Sequence, residues 1–274
     1  MATLETAARP LPTRLAHYAR IVGVTAHAEF KLKYSGSALG YVWSVVKPLG
    51  LFGMLYIVFG RFFKLNAFAH YPIYLLVGIV LWTYFADATN LSLYSLVNRG
   101  SLLSKLAFPR AVIPLSVTTT TAITLGVNLI AIAVFIAASG IVPTIGWLAL
   151  IPLLLELFVV TAGVSLFLSA LFVRLRDLSQ VWELCLQLMF YASPIIYPPS
   201  YLPPWWRPIA YLSPFNQVIQ DARAVVLPRS GIVTPTDVYH GPAGQLIPLA
   251  IGAAIVIGGY AFFRRQSPWF AERV

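Results

Sequence analysis

The sequence predicts an all-α integral membrane protein with six transmembrane helices. An amphipathic interface helix precedes them, and short external helices, re-entrant or interfacial, precede the last. Three observations carry this. Of 274 residues, 59% are hydrophobic and only 10% are charged, with a mean hydropathy of +0.79; a soluble fold of this length needs more charge to cover its surface. Six apolar runs are close to or longer than the roughly 20 residues a helix needs to cross the hydrocarbon core. The basic residues lie between those runs with a bias that fixes orientation.

Residues 1–35 form a cytoplasmic segment containing Arg9, Arg14, Arg20, Lys31 and Lys33 but no continuous apolar stretch, so no cleaved signal peptide is expected. Within it, residues 13–34 interleave basic positions with Leu15, Tyr18, Ile21, Val22 and Phe30, which fits a helix lying in the interface. Residues 36–274 form one transmembrane domain. Its spans are Tyr41 to Gly60, Pro72 to Leu93, Ala111 to Ala138, Gly146 to Val173, Leu178 to Tyr197 and Gln245 to Phe263. An even number of spans puts both termini on one side. With those termini in the cytoplasm, 14 of the 19 Lys and Arg residues fall inside, leaving Arg61, Lys64, Arg207, Arg223 and Arg229 outside. Residues 198–244 are then the one long external segment, rich in Pro, Trp and Tyr. At net charge +10, a soluble chain would be matched to nucleic acid; here the positive-inside pattern accounts for the charge, and no nucleic-acid partner is expected.

The stretch "VRLRDLSQVWELCLQLMFYASPIIYP" at 173–198 joins the fourth and fifth spans. Arg174 and Arg176 occupy a short cytoplasmic turn. Asp177 is placed to cap the fifth helix, with Gln180 as its reciprocal partner. Pro194 and Pro198 bend or end that helix near the external face.

"RLRDL" at 174–178 and "SPIIYP" at 193–198 carry a resemblance, supported by "KLKYSGSALGYVWSVVKPL" at 31–49, "LLSKLAFPRAVIP" at 102–114 and "YLSPFN" at 211–216. In these motifs, their order and the six-span layout, nearly the whole chain resembles the membrane subunits of ABC-2-type polysaccharide exporters, the family of O-antigen, teichoic acid and cell-wall galactan permeases. The resemblance implies an ABC-2 permease fold, a homodimer, and a separate cytoplasmic ABC ATPase that binds ATP and Mg. It also implies a lipid-linked polysaccharide cargo, carried as a polyprenyl pyrophosphate through a channel between the two permease copies, and a place in the bacterial inner membrane.

The residues themselves offer no catalytic chemistry. There is no Gly-Lys dipeptide and hence no P-loop, no G-x-S-x-G and no H-E-x-x-H. His17, His27, His70 and His240 are scattered, no two acids are adjacent or one residue apart, and Cys185 is the lone cysteine. No metal site, no cofactor and no enzymatic activity are expected of this chain.

Candidate functional residues each carry two readings. Asp87, Glu156 and Glu183 fall within spans, where a charge costs about 2.5–3.5 kcal/mol on insertion scales; they either line a polar path or pair with a neighbouring helix. Phe52, Tyr56, Phe59, Phe190 and Tyr191 offer ring faces on which sugars stack, and with Glu183 they form the candidate translocation path. The alternative is packing. For Tyr41, Trp43 and Trp182 an interfacial belt is the expected role. Lys31, Lys33, Lys47, Arg174 and Arg176 lie near the inner surface, where they hold a lipid pyrophosphate or simply obey the positive-inside rule and meet anionic lipid. The loop 97–114 presents Leu102, Leu103, Lys105, Leu106, Phe108 and Arg110, either for docking into an ATPase groove or for lying flat on the bilayer. Three rival functions remain open: an ABC-2 permease for drugs or small lipids, a membrane-embedded polyprenyl-phosphate glycosyl transferase, and a proton-coupled carrier.

Overall fold

A computed structural model describes residues 11–34, 40, 42–65, 70–99, 109–228 and 232–270, and these contain no strand. α1 (Leu11–Tyr34) comes first. α2 (Val42–Leu55) continues into a π-helical stretch, Tyr56–Phe62. α3 (Tyr71–Asn98) and α4 (Val112–Ala138) follow. A 3₁₀ turn, Ile145–Ala149, leads into α5 (Leu150–Phe172), and α6 spans Leu178–Ala192. Three short helices come next: α7 (Trp206–Tyr211), α8 (Pro214–Val226) and α9 (Pro235–Val238). α10 (Leu246–Gln266) is last.

Five of these helical runs are long and apolar enough to cross a membrane: Val42–Phe62, Tyr71–Asn98, Val112–Ala138, Ile145–Phe172 and Ala243–Trp269. They coincide with five of the six expected spans. The expected fifth span, 178–197, differs. α6 has 15 residues, about 22 Å at 1.5 Å per residue, which is short of the hydrocarbon core. Pro194 is the cause. It lacks an N–H and disfavours helical geometry in the residue before it, and Ser193 is extended at ψ 145°. The chain nevertheless continues along α3. Leu178 and Trp182 pack beside Leu93 and Phe172. Phe190 meets Trp82 at 5.5 Å between ring centres. The carbonyls of residues 194, 196 and 197 then receive hydroxyl hydrogen bonds from Tyr71 and Tyr74. A short helix and an irregular segment together cover the length that the sequence assigned to one helix.

α3 is the central element, the most buried of the five runs, whereas α2 is the least. α5 and α10 approach closely through glycines. A Cβ added to Gly259 would overlap the Gly163 carbonyl, and one on Gly163 would lie 2.8 Å from the Val256 Cα. Small residues at such a crossing let two backbones pack in lipid.

α1 is tied to the bundle. Glu29 pairs with Arg99 at 2.6 Å and accepts from Ser116 at 2.9 Å and Thr120 at 3.3 Å, while Thr120 also donates to the Ala26 carbonyl at 3.2 Å. The expected capping by Asp177 does not form. Asp177 has helical angles, φ −71° and ψ −9°, and its side chain accepts no backbone N–H; a side-chain cap requires the extended conformation.

Within residues 198–244, α8 packs into the bundle against α3. Ser213 caps α8 by accepting from the Asn216 N–H, with Pro214 at the first helical position. Phe215, one residue on, packs against Phe85 at 4.9 Å and Trp82 at 5.3 Å between ring centres, near the middle of α3. From there α8 rises toward Tyr74. Nearly every residue of α8 is buried, including Gln217, Gln220, Asp221 and Arg223.

Candidate functional site

Two surfaces flank α3, one from α2 and one from α6. The expected path residues divide between surface and interior. Phe52 is buried, stacked on Tyr56 at 5.8 Å and edge-on to Phe135 of α4 at 5.7 Å. Phe190 is buried against Trp82. These two pack helices together rather than facing open space. Tyr56 is half-buried and stacks toward Tyr71 at 6.4 Å; Phe59 stacks on Phe63 at 5.4 Å. Glu183 and Tyr191 are exposed on α6, on a face that also carries Leu184 and Leu188. Trp182 is not a belt residue: its indole N–H donates to Thr89 at 3.2 Å inside the bundle. Trp43 is exposed, and Tyr41 lies outside the described residues.

The other two membrane acids are tied to neighbouring helices. Asp87 accepts from the Lys47 ammonium at 3.1 Å, joining α3 to α2. Glu156 accepts from the Gln217 amide at 3.3 Å, and the same amide donates to Asp221 at 3.0 Å. Lys47 is therefore paired with α3 although exposed, and Lys31, Lys33, Arg174 and Arg176 are also exposed, at the end where α1 docks. Arg176 rests over the Phe172 ring at 5.4 Å. Of the six loop residues expected to dock an ATPase, Arg110 is half-buried ahead of α4; Leu102, Leu103, Lys105, Leu106 and Phe108 lie outside the described residues.

The best-defined polar construction was not foreseen as a site. Arg223 of α8 is completely buried. Its guanidinium lies 3.5 Å from the Tyr74 ring centre and donates to the carbonyls of Tyr74 at 2.9 Å, Pro194 at 2.8 Å and Ile195 at 2.7 Å. Gln220 adds a bond to the Pro194 carbonyl at 3.0 Å, Tyr71 one to Ile196, and Tyr74 one to Tyr197. Irregular backbone at membrane depth is tolerated only where protein satisfies its polar groups; this cluster does so for 194–197. Gly78 makes room for it, since a Cβ there would overlap the Arg223 guanidinium. The sequence carried two signals for the clamp. Tyr71, Tyr74 and Gly78 share one helical face, and Gln220, Asp221 and Arg223 interrupt the apolar residues of "VIQDARAVV".

The sequence model for ABC-2 type transporters matches residues 22–227. An O-antigen export system permease protein of Klebsiella pneumoniae is 32% identical over 201 residues, covering 73% of this chain and 77% of the relative. A second from the same species is 28% identical over 250 residues, covering 91% and 93%. An O-antigen export system permease protein of Myxococcus xanthus is 29% identical over 174 residues, covering 63% and 66%.

Proposed function

The chain belongs to the ABC-2 type transporter family, and we propose that it is the permease subunit of an ATP-driven exporter that moves a lipid-linked polysaccharide across the bacterial inner membrane. The observation that carries this reading is the kinship with O-antigen export permeases, which in one case covers 91% of the chain. ABC-2 permeases work with a separate ABC ATPase, so energy enters from a partner that binds ATP and Mg.

The chemistry of the surfaces supports the reading. α2 and α6 leave Tyr56, Phe59 and Tyr191 on either side of α3, with Leu91 and Tyr94 exposed on α3 itself. Two copies facing each other through these elements enclose a path whose aromatic faces stack on sugar rings without a deep pocket. Conduction needs contacts weak enough to release the cargo. Glu183 adds a polar group to that path. Lys31, Lys33, Arg174 and Arg176 gather at one end, where they receive the pyrophosphate of the carrier lipid. That end is cytoplasmic under the positive-inside rule, as are both termini. The loop 97–114 leaves the bundle at the same end, with Leu102, Leu103, Lys105, Leu106, Phe108 and Arg110 meeting the ATPase.

A second reading, export of a drug or small lipid, has one observation in its favour. An apolar crevice of about 550 Å³ lies among α5, α6, α8 and α10, lined by Phe167, Trp182, Met189, Phe215 and Ile255. Deleting the gene separates the two readings. Surface glycan should disappear, polymer on its lipid carrier should accumulate inside the cell, and a plasmid copy should reverse both. Unchanged surface glycan, with altered drug or lipid efflux, would favour the second reading.

A further inference from the structure

We propose that the cavity between the end of α1 and α2, α3 and α4 is a binding site for a single sugar ring of the cargo, a deepening that rests on the polysaccharide reading. The cavity has a volume of about 220 Å³ and is lined by Trp43, Lys47, Asp87, Thr121, Thr124 and Asn128, among others. The Lys47–Asp87 pair, both members partly exposed, stands at its mouth with Trp43 beside it. Asn128 is 4% exposed, and its side-chain carbonyl is buried without a hydrogen-bond partner. Such a group costs about 1–3 kcal/mol when left unpaired, so an orphan amide beside a cavity points to an occupant.

The walls specify what that occupant must offer. The Thr121 hydroxyl spends its proton on the Thr118 carbonyl at 2.8 Å, and that of Thr124 on Thr120 at 3.3 Å. Both are left as acceptors. Asp87 and the Asn128 carbonyl are acceptors too, and Lys47 and Lys33, which both line the cavity, are donors. An ionised phosphate would meet the two ammoniums but brings no donor for Asp87, the Asn128 carbonyl or the threonines. A pyranose brings several O–H donors for Asp87, Asn128 and the threonines, oxygens for the Lys47 ammonium, and a C–H face for Trp43. The cavity has room for one ring. One such subsite grips each passing residue briefly, as conduction requires.

The test uses the full permease–ATPase complex in lipid nanodiscs, with Cys185→Ser and Thr124→Cys. Alkylation of the introduced thiol by a small maleimide is timed alone, with a panel of methyl hexosides, with oligosaccharide released from the host's surface glycan by mild acid, and with inorganic pyrophosphate. At least one sugar should slow alkylation by about threefold or more, and pyrophosphate should not. Adding Asn128→Leu, of similar volume, should abolish the protection; if that variant does not reach the membrane, Asp87→Asn serves instead. The proposal is overturned by no protection from any sugar, by equal protection from pyrophosphate, by protection that survives loss of Asn128 or Asp87, or by a thiol that never reacts. Export that persists without sugar protection removes the site but keeps the exporter. Protection without export does the reverse.

Discussion

Replacing Arg223 with methionine tests the clamp on the broken segment. The change keeps the buried volume and removes the charge. The Tyr74 carbonyl belongs to a helix, and the Pro194 carbonyl keeps Gln220 and Tyr74 as donors. The Ile195 carbonyl loses Arg223, the donor that holds it at 2.7 Å. Leaving that one carbonyl unpaired costs about 1–3 kcal/mol. Against this, a guanidinium with no carboxylate within ion-pair distance among the described residues no longer has to be buried, a relief of several kcal/mol. The two terms oppose, so the thermal midpoint should move little. Local opening of residues 193–198 should rise, by roughly 5- to 150-fold for 1–3 kcal/mol. The assay is the alkylation rate of Ile196→Cys, a position only 1% exposed, in a Cys185→Ser background. Arg223→Lys, with donors but no planar fork, should fall between. An unchanged rate in Arg223→Met, at equal folding, would refute the clamp.

Three further outcomes are expected. Gly259→Val should force α10 away from the Gly163 backbone at an overpacking cost of about 1–3 kcal/mol, read as a lower thermal midpoint; an unchanged midpoint would mean the helices part freely. Leu103→Ser with Leu106→Ser should reduce ATPase co-purification at least about tenfold, since each buried leucine contributes roughly 1.5–3 kcal/mol; full retention would place that loop on the bilayer instead. Tyr56→Ala with Tyr191→Ala should lower glycan export at normal permease abundance and with the ATPase still bound, whereas unchanged export would assign both rings to packing.

Five spans were legible because run length and hydropathy determine whether a helix can cross a membrane, and nothing else is needed. At 178–197 the bend or end at Pro194 was legible in the sequence. With Ile195 and Ile196 as apolar as any helix residue, hydropathy does not register that the freed carbonyls need donors from elsewhere. Those donors, Arg223 and Gln220, lie 26 to 29 residues away from the Pro194 carbonyl, and the charge count that placed Arg223 on the external side says nothing of its burial. Lys47 and Asp87 are 40 residues apart, so their pairing belongs to the fold and has no local signature. Asp177 had the right residue type and spacing for a cap but the wrong backbone angles. For the path residues, periodicity could not separate the buried Phe52 and Phe190 from the exposed Tyr191, since all three are aromatics on helices that are apolar on several faces.

Reconstituted transport tests polysaccharide export most directly. The permease and its ATPase are placed together in liposomes, lipid-linked glycan is supplied to the outer face, and glycan protected from an external glycosidase is measured. With the ATPase facing outward, protected glycan should accumulate only when ATP and Mg are present, and should vanish when either protein is omitted. Accumulation that ignores ATP, or none at all from a correctly assembled complex, would contradict an ATP-driven exporter of lipid-linked polysaccharide.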